Sequence, residues 1–196
     1  MIYFFTYFFT RFLSFLFFPR TVKGLENVPV KGAYILACNH ISNLDPPIIG
    51  ISTPRRLRFM AKIELFKNPF VGWWLKKLWA FPIKRGEGDF GALKQTLKFL
   101  KEGHPVLLFP EGTRRMDDTP LPAQAGAGLV AVRSQVPIVP VRIEGSDLAM
   151  PPGARSVKRV LVTVTYGKPF DVKDCSTYEI AAQKILDEIY KIPSNR

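Results

Sequence analysis

The stretch Ala33-Tyr34-Ile35-Leu36-Ala37-Cys38-Asn39-His40-Ile41-Ser42-Asn43-Leu44-Asp45-Pro46-Pro47 begins as an apolar run and ends as a polar loop. A short continuous apolar run reads as a strand buried on both faces. Polar residues and a proline pair directly after it mark the strand end, where α/β sheets place their active sites. Five further runs read as short strands: Leu57–Met60, Ala80–Ile83, Val106–Phe109, Ile138–Val141 and Val160–Tyr166. Helical patterns lie between them. Phe90, Leu93, Leu97 and Leu100 recur at helical spacing and stop at Gly103. Residues 124–134 read as a small-residue helix in which Gly126 and Gly128 permit close packing. Ser176 and Glu179 form a capping box for a last helix carrying Ile180, Ile185 and Ile189. This alternation predicts one layered α/β domain over residues 21–196, a central mixed sheet flanked by helices.

The chain has 196 residues, one domain's worth, and 47% of them are apolar, enough for a core. Two Cys and two His exclude a disulfide framework, a zinc finger and a multi-His metal cage, so no metal site is expected. The net charge of +12 points to anionic company: nucleic acid, an acidic membrane surface or phosphorylated substrates.

Eight of the 16 Phe fall in residues 1–18, with Arg11 as the one charged side chain there. On a helix, Phe4, Phe5, Phe8, Phe9, Phe12, Phe15 and Leu16 share one arc, and Tyr3, Thr6, Tyr7, Thr10, Arg11 and Ser14 share the other. Seventeen residues span roughly 25 Å, short of the ~30 Å hydrocarbon core, and a mid-helix Arg adds a penalty of about 3 kcal/mol at its centre. Residues 1–20 therefore read as an amphipathic anchor lying in one leaflet rather than a spanning helix. A signal peptide fits poorly, since no positive segment precedes the apolar run and no small-residue cleavage site follows it.

Residues 51–85 hold nine basic side chains and one acid, together with all three Trp. Trp at headgroup depth and Lys or Arg on lipid phosphate suit a membrane interface, with Trp73 and Trp74 as candidate contacts beside Phe5, Phe8, Phe9 and Phe12. The same interleaving also suits single-stranded nucleic acid.

His40 is the natural general base, and Asp45 can orient it if the intervening turn brings the carboxylate back, at the start of a helix. From the local pattern alone, the pair reads equally well as a surface His beside a helix-capping Asp. Phe109-Pro110-Glu111-Gly112-Thr113-Arg114 follows the apolar run at 106–108. Gly permits close backbone approach, and Thr and Arg are anion ligands, Arg bidentately. A base on one strand end and a phosphate grip on another suit a phosphorylated substrate with a reacting hydroxyl. Gly86-Glu87-Gly88-Asp89-Phe90-Gly91 matches the dinucleotide pattern G-x-G-x-x-G, but Glu87 and Asp89 would face the pyrophosphate. Cys38 stands two residues before His40, so a thiolate–imidazole pair is conceivable though unsupported.

These motifs, in this order, resemble the glycerolipid acyltransferase family typified by 1-acylglycerol-3-phosphate acyltransferase. The family's Asn-His-x-x-x-x-Asp block is Asn39–Asp45, and its Phe-Pro-Glu-Gly-Thr-Arg block is complete at Phe109–Arg114. Phe81-Pro82-Ile83-Lys84-Arg85 and Val136-Pro137-Ile138-Val139-Pro140-Val141 match its second and fourth blocks, and Ala61–Leu65 its lysine-bearing segment. The likeness runs over roughly residues 24–170. Arg115 stands where many members carry Ser, and Ala123-Gln124 where many carry Phe-Lys.

The resemblance implies acyl transfer from acyl-CoA or acyl-carrier protein to the sn-2 hydroxyl of lysophosphatidate, giving phosphatidate for phospholipid synthesis. It implies His40 and Asp45 as the catalytic pair. Glu111, Gly112, Thr113 and Arg114, with Arg85 and Lys62, are implied to bind the substrate phosphate. It implies no metal or organic cofactor, lipid rather than nucleic acid as partner, and a monotopic place on the cytoplasmic face of the cell membrane. Another lysophospholipid acceptor, or a transacylase, stays open within the family. A non-catalytic binding module for anionic membranes or nucleic acid would explain the charge but not the paired blocks.

Overall fold

A computed structural model describes residues 2–84, 89–115, 121–151, 153–154 and 156–194. Seven strands form one sheet: β1 (Arg20–Lys23), β2 (Ile35–Cys38), β3 (Arg58–Lys62), β4 (Ala80–Ile83), β5 (Val106–Leu108), β6 (Ile138–Glu144) and β7 (Val162–Tyr166). Among the described residues the α-helices are α1 (Ile2–Phe17), α2 (Asp45–Ser52), α3 (Pro69–Lys77), α4 (Phe90–Lys101), α5 (Ala125–Ser134), α6 (Ser146–Ala149) and α7 (Tyr178–Lys191). The strand order is β1-β7-β6-β2-β5-β3-β4. All neighbours run parallel except β6 and β7, so the sheet is mixed, as expected.

The central strand β2 is buried along its whole length, and its alternate side chains feed two cores. Leu36 and Cys38 pack with Ile48 and Ile49 of α2 on one face. Ile35 and Ala37 pack with Leu100 of α4, Val130 of α5 and Ile185 of α7 on the other. A Cβ on Gly128 would lie 1.8 Å from the Tyr178 carbonyl, so the expected close helix packing is that of α5 against α7.

Several elements differ from the sequence reading. The strand β1 was not foreseen: a four-residue edge strand with charged ends and two half-buried positions carries little apolar signal. The strand β6 runs on to Glu144 because its antiparallel ladder with β7 continues through Arg142, Ile143 and Glu144, while the Arg142 guanidinium donates to the Ile192 carbonyl at 2.7 Å and pairs with Glu144 at 3.4 Å. The last helix is capped by Thr177, which accepts from the Ile180 amide at 3.2 Å, and not by Ser176. The dinucleotide-like glycines Gly86 and Gly88 lie outside the described residues, while Asp89 caps α4 by accepting from the Ala92 amide.

The helix α1 is turned inside out. Phe5, Phe8, Phe9, Phe12 and Phe15 are each at least half exposed, while Tyr3, Thr6, Tyr7, Thr10 and Ser14 face the protein. Arg56 holds its base, with the guanidinium 3.8 Å over the Tyr3 ring and 4.7 Å over Phe4. Near its middle, Trp74 of α3 donates to the Thr6 hydroxyl at 3.1 Å. No helix among the described residues is long and apolar enough to cross a membrane.

Candidate active site

After β2 the chain enters α2 on one face of the sheet, and after β5 it reaches α5 on the other. Two adjacent parallel strands whose connections diverge leave a crevice at their carboxyl ends. Four neighbouring parallel strands, β6, β2, β5 and β3, deliver the site from those ends: Ser146, His40, the 109–115 loop and Lys62.

Asp45 begins α2 and is fully buried. Its Oδ2 accepts from the Ile41 amide at 2.7 Å and the Ser42 amide at 2.8 Å, which folds the polar loop back on itself. The same oxygen lies 2.8 Å from His40 Nδ1, and Oδ1 accepts from Ser146 Oγ at 2.6 Å. With Oδ2 already accepting from two backbone amides, Nδ1 is the donor in its contact with His40, and Nε2 is the ring nitrogen left as acceptor. The ring of His40 stacks on Phe109, centroids 4.0 Å apart. Its backbone is held at both ends: the N–H donates to Glu111 Oε2 at 3.0 Å, and the carbonyl accepts from the Arg115 amide at 2.9 Å. Asn39 accepts from the Ile143 amide at 2.8 Å and donates to the Ile143 carbonyl at 2.9 Å, fastening the end of β2 to β6.

A cavity of about 490 Å³ opens from this point. His40, Lys62 and Arg114 are among the residues that line it, and most of the remaining wall is apolar, from α2, β3 and α3. The inward arc of α1 closes it with Tyr3, Thr6, Tyr7 and Thr10.

The structure therefore brings together four of the expected residues: His40, Asp45, Lys62 and Arg114. Glu111 has a different place from the one expected. It is 2% exposed, and both carboxylate oxygens are taken by protein donors, the His40 amide and the Tyr190 hydroxyl at 2.7 Å. It braces the His40 backbone and does not line the cavity. Gly112 turns the loop at φ +68°, where a Cβ would also meet Gln124 at 2.8 Å. Gly112 and Thr113 are exposed on that turn and do not line the cavity. Arg85 lies outside the described residues.

The Cys38–His40 pairing fails. Cys38 is fully buried beneath the site, and burial followed by the charges of Asp45 and Glu111 pushes its thiol well above the usual range. Ser146 and Tyr190 were missed by the sequence reading. A polar residue just past β6 is the same strand-end signal that marked His40, but Tyr190 sits on a helix with no such cue. Among the described residues no group of three or more His, Cys, Asp or Glu could hold a metal ion.

The acyltransferase family profile matches residues 19–144, which take in both loops and the strands that carry them. This chain belongs to the acyltransferase family. An acyltransferase of Bacillus subtilis, 1-acyl-sn-glycerol-3-phosphate acyltransferase, is 34% identical over 154 residues, covering 78% of this chain and 74% of its own. The enzyme of that name from Streptococcus pneumoniae is 32% identical over 165 residues, 83% of this chain and 57% of its own. The crystal structure of the 1-acyl-sn-glycerophosphate acyltransferase from Thermotoga maritima superposes with a TM-score of 0.81 at 29% identity. It covers 95% of this chain and 76% of that one. The acyltransferase fold thus extends over nearly all of the chain, including His40 and the loop that holds its backbone.

Proposed function

We propose that this acyltransferase moves a fatty acyl group from acyl-CoA or acyl-carrier protein to the sn-2 hydroxyl of lysophosphatidate, releasing phosphatidate. The observation that carries this reading is a buried His–Asp pair opening into a largely apolar cavity whose wall also carries Lys62 and Arg114. The acceptor hydroxyl gives its proton to His40 Nε2 as its oxygen attacks the thioester carbonyl. Asp45 steadies the imidazolium that forms. Collapse of the tetrahedral intermediate breaks the carbon–sulfur bond, and the departing thiolate takes the proton back from His40. No acyl-enzyme is needed, in keeping with the inert Cys38. Nor does this chemistry call for a metal or prosthetic group, since the thioester enters as co-substrate. Arg114 and Lys62 hold the acceptor phosphate, and the apolar wall takes the acyl chain.

The outward Phe5, Phe8, Phe9 and Phe12, with Trp73, Trp74 and Phe70 on α3, form the surface that meets lipid. We place this surface on the cytoplasmic leaflet of the cell membrane, where the acyl donors are made. Thr6 and Trp74, bonded to each other, both line the cavity, so the lipid-facing helices form part of its wall, and we place substrate entry on that side.

The deciding experiment is a thioester-release assay in detergent across lysophosphatidate, other lysophospholipids and glycerol 3-phosphate. Turnover is expected with lysophosphatidate. Preference for another lysolipid would keep the reaction and change the acceptor, and absence of thioester release with every acceptor would refute catalysis.

A further inference from the structure

The carboxylate that braces His40 from behind is itself held from a distant part of the chain. Glu111 Oε2 accepts from the His40 amide at 3.0 Å, and Oε1 accepts from the Tyr190 hydroxyl at 2.7 Å. Tyr190 lies in the last turn of α7, 79 residues from Glu111. Its own backbone is fixed by Arg142, whose Nη1 reaches the Tyr190 carbonyl at 3.4 Å and the Ile192 carbonyl at 2.7 Å. The guanidinium of Arg115, whose amide holds the His40 carbonyl, sits 5.7 Å over the Tyr190 ring. Both polar backbone atoms of His40 are therefore gripped by a loop that converges on one tyrosine.

We infer that Tyr190 is a positioning residue for the reaction: through Glu111 it sets the backbone of His40, and hence the aim of Nε2 at the acceptor hydroxyl. This rests on the reading of His40 as the base. Burial, then the Glu111 carboxylate, hold the phenol well above its usual range. Its hydroxyl therefore stays a donor wherever the enzyme works. A charge-assisted bond of this kind fixes direction as well as distance. Tyr190 does not line the cavity, and loss of its bond misaims the base without emptying that space, so the deficit falls on kcat and not on KM.

Tyr190→Phe tests the relay, since it removes one hydroxyl and keeps the ring. The chain has only two histidines, so protein labelled with 15N-histidine gives two backbone amide resonances, His40 and His104. In the variant the His40 amide should move upfield and exchange faster while His104 stays in place. On lysophosphatidate kcat should fall roughly tenfold with both KM values within about twofold, the rate equivalent of one hydrogen bond to a charged group. Combining Tyr190→Phe with Glu111→Ala should lower kcat no further than Glu111→Ala alone. An unmoved His40 amide, movement of both amides, or additive losses would overturn the relay. If the wild-type enzyme acylates no lysolipid, the acyltransferase reading fails separately, and the His40 amide still decides whether Tyr190 sets its backbone.

Discussion

His40 Nδ1 lies 2.8 Å from an Asp45 oxygen that also accepts two backbone amides from the loop between them. One carboxylate thus folds the loop and orients the His40 imidazole, the proposed base. The two tasks separate in mutants. His40→Ala should leave thermal unfolding within a degree or two and lower kcat by roughly 10²–10⁴-fold, the usual worth of a positioned base. Asp45→Ala should do the same to kcat and also lower the melting temperature, because it strips a buried partner from Ile41, Ser42 and Ser146. Differential scanning calorimetry beside the turnover assay reads both. Equal melting losses in the two variants would contradict the division.

Arg114 is half buried on the cavity wall, beyond the Gly112 turn. Arg114→Ala should raise the KM for lysophosphatidate by about 10–100-fold, the range of a lost charge-assisted phosphate contact, and leave the acyl-donor KM unchanged. Initial rates with each substrate varied in turn check this. A change confined to the donor would move Arg114 out of the phosphate site.

The aromatic arc of α1 predicts where the enzyme sits. Replacing Phe5, Phe8, Phe9 and Phe12 together by Ser leaves the inward arc and the Trp74–Thr6 bond intact. Each buried Phe contributes about 1.5–3 kcal/mol, so four should weaken binding to liposomes by more than about a hundredfold. Cosedimentation with vesicles containing anionic lipid measures it. Unchanged pelleting would assign the surface to something other than lipid.

Asp89 carries a stability prediction with a definite pH sign. The Lys84 and Ala92 amides, both donating to its carboxylate, hold that group below the usual range. A depressed pKa contributes stability that is complete above the ordinary carboxylate value and is lost as pH falls through the lowered one. Asp89→Ala should therefore cost about 1 kcal/mol at neutral pH, as a lost helix cap does. The gap between the two proteins should close in acid. Urea titrations at several pH values would show it, and a gap independent of pH would mean that the charge plays no part in the cap.

How much of this was legible in the sequence follows from which forces act locally. The six apolar runs were legible as strands because a sheet packed between helices needs short apolar runs bounded by turns, and all six appear. Asp45 was readable as a partner of His40 because the turn joining them is local. Its other partner, Ser146, follows β6, 101 residues away, and no local pattern shows such a pairing. The phosphate block was legible as a motif, yet Glu111 within it faces inward. Burial of an acid is decided by what stands behind it, here the His40 amide and Tyr190 from the last helix. The outward arc of α1 was readable from its period. That its polar arc would line the cavity was not, because this depends on where α3 lies.

Gly50 offers a test of the cavity that leaves the base untouched. It lies within α2, lines the cavity, and a Cβ placed there meets nothing within 4 Å. A glycine inside a helix weakens it by about 1 kcal/mol relative to alanine. Gly50→Leu should therefore leave the melting temperature equal or higher while filling part of the space between α2, β3 and α1. If the apolar wall holds the acyl chain, the variant should discriminate by chain length. Turnover of long-chain thioesters should fall at least tenfold, the loss expected when a few methylenes no longer fit their pocket, and short-chain thioesters should be used as well as before. Rates across a series of acyl-CoA lengths check the prediction. A uniform loss at every length would mean that the added side chain obstructs the acceptor, and an unchanged profile would place the acyl chain elsewhere.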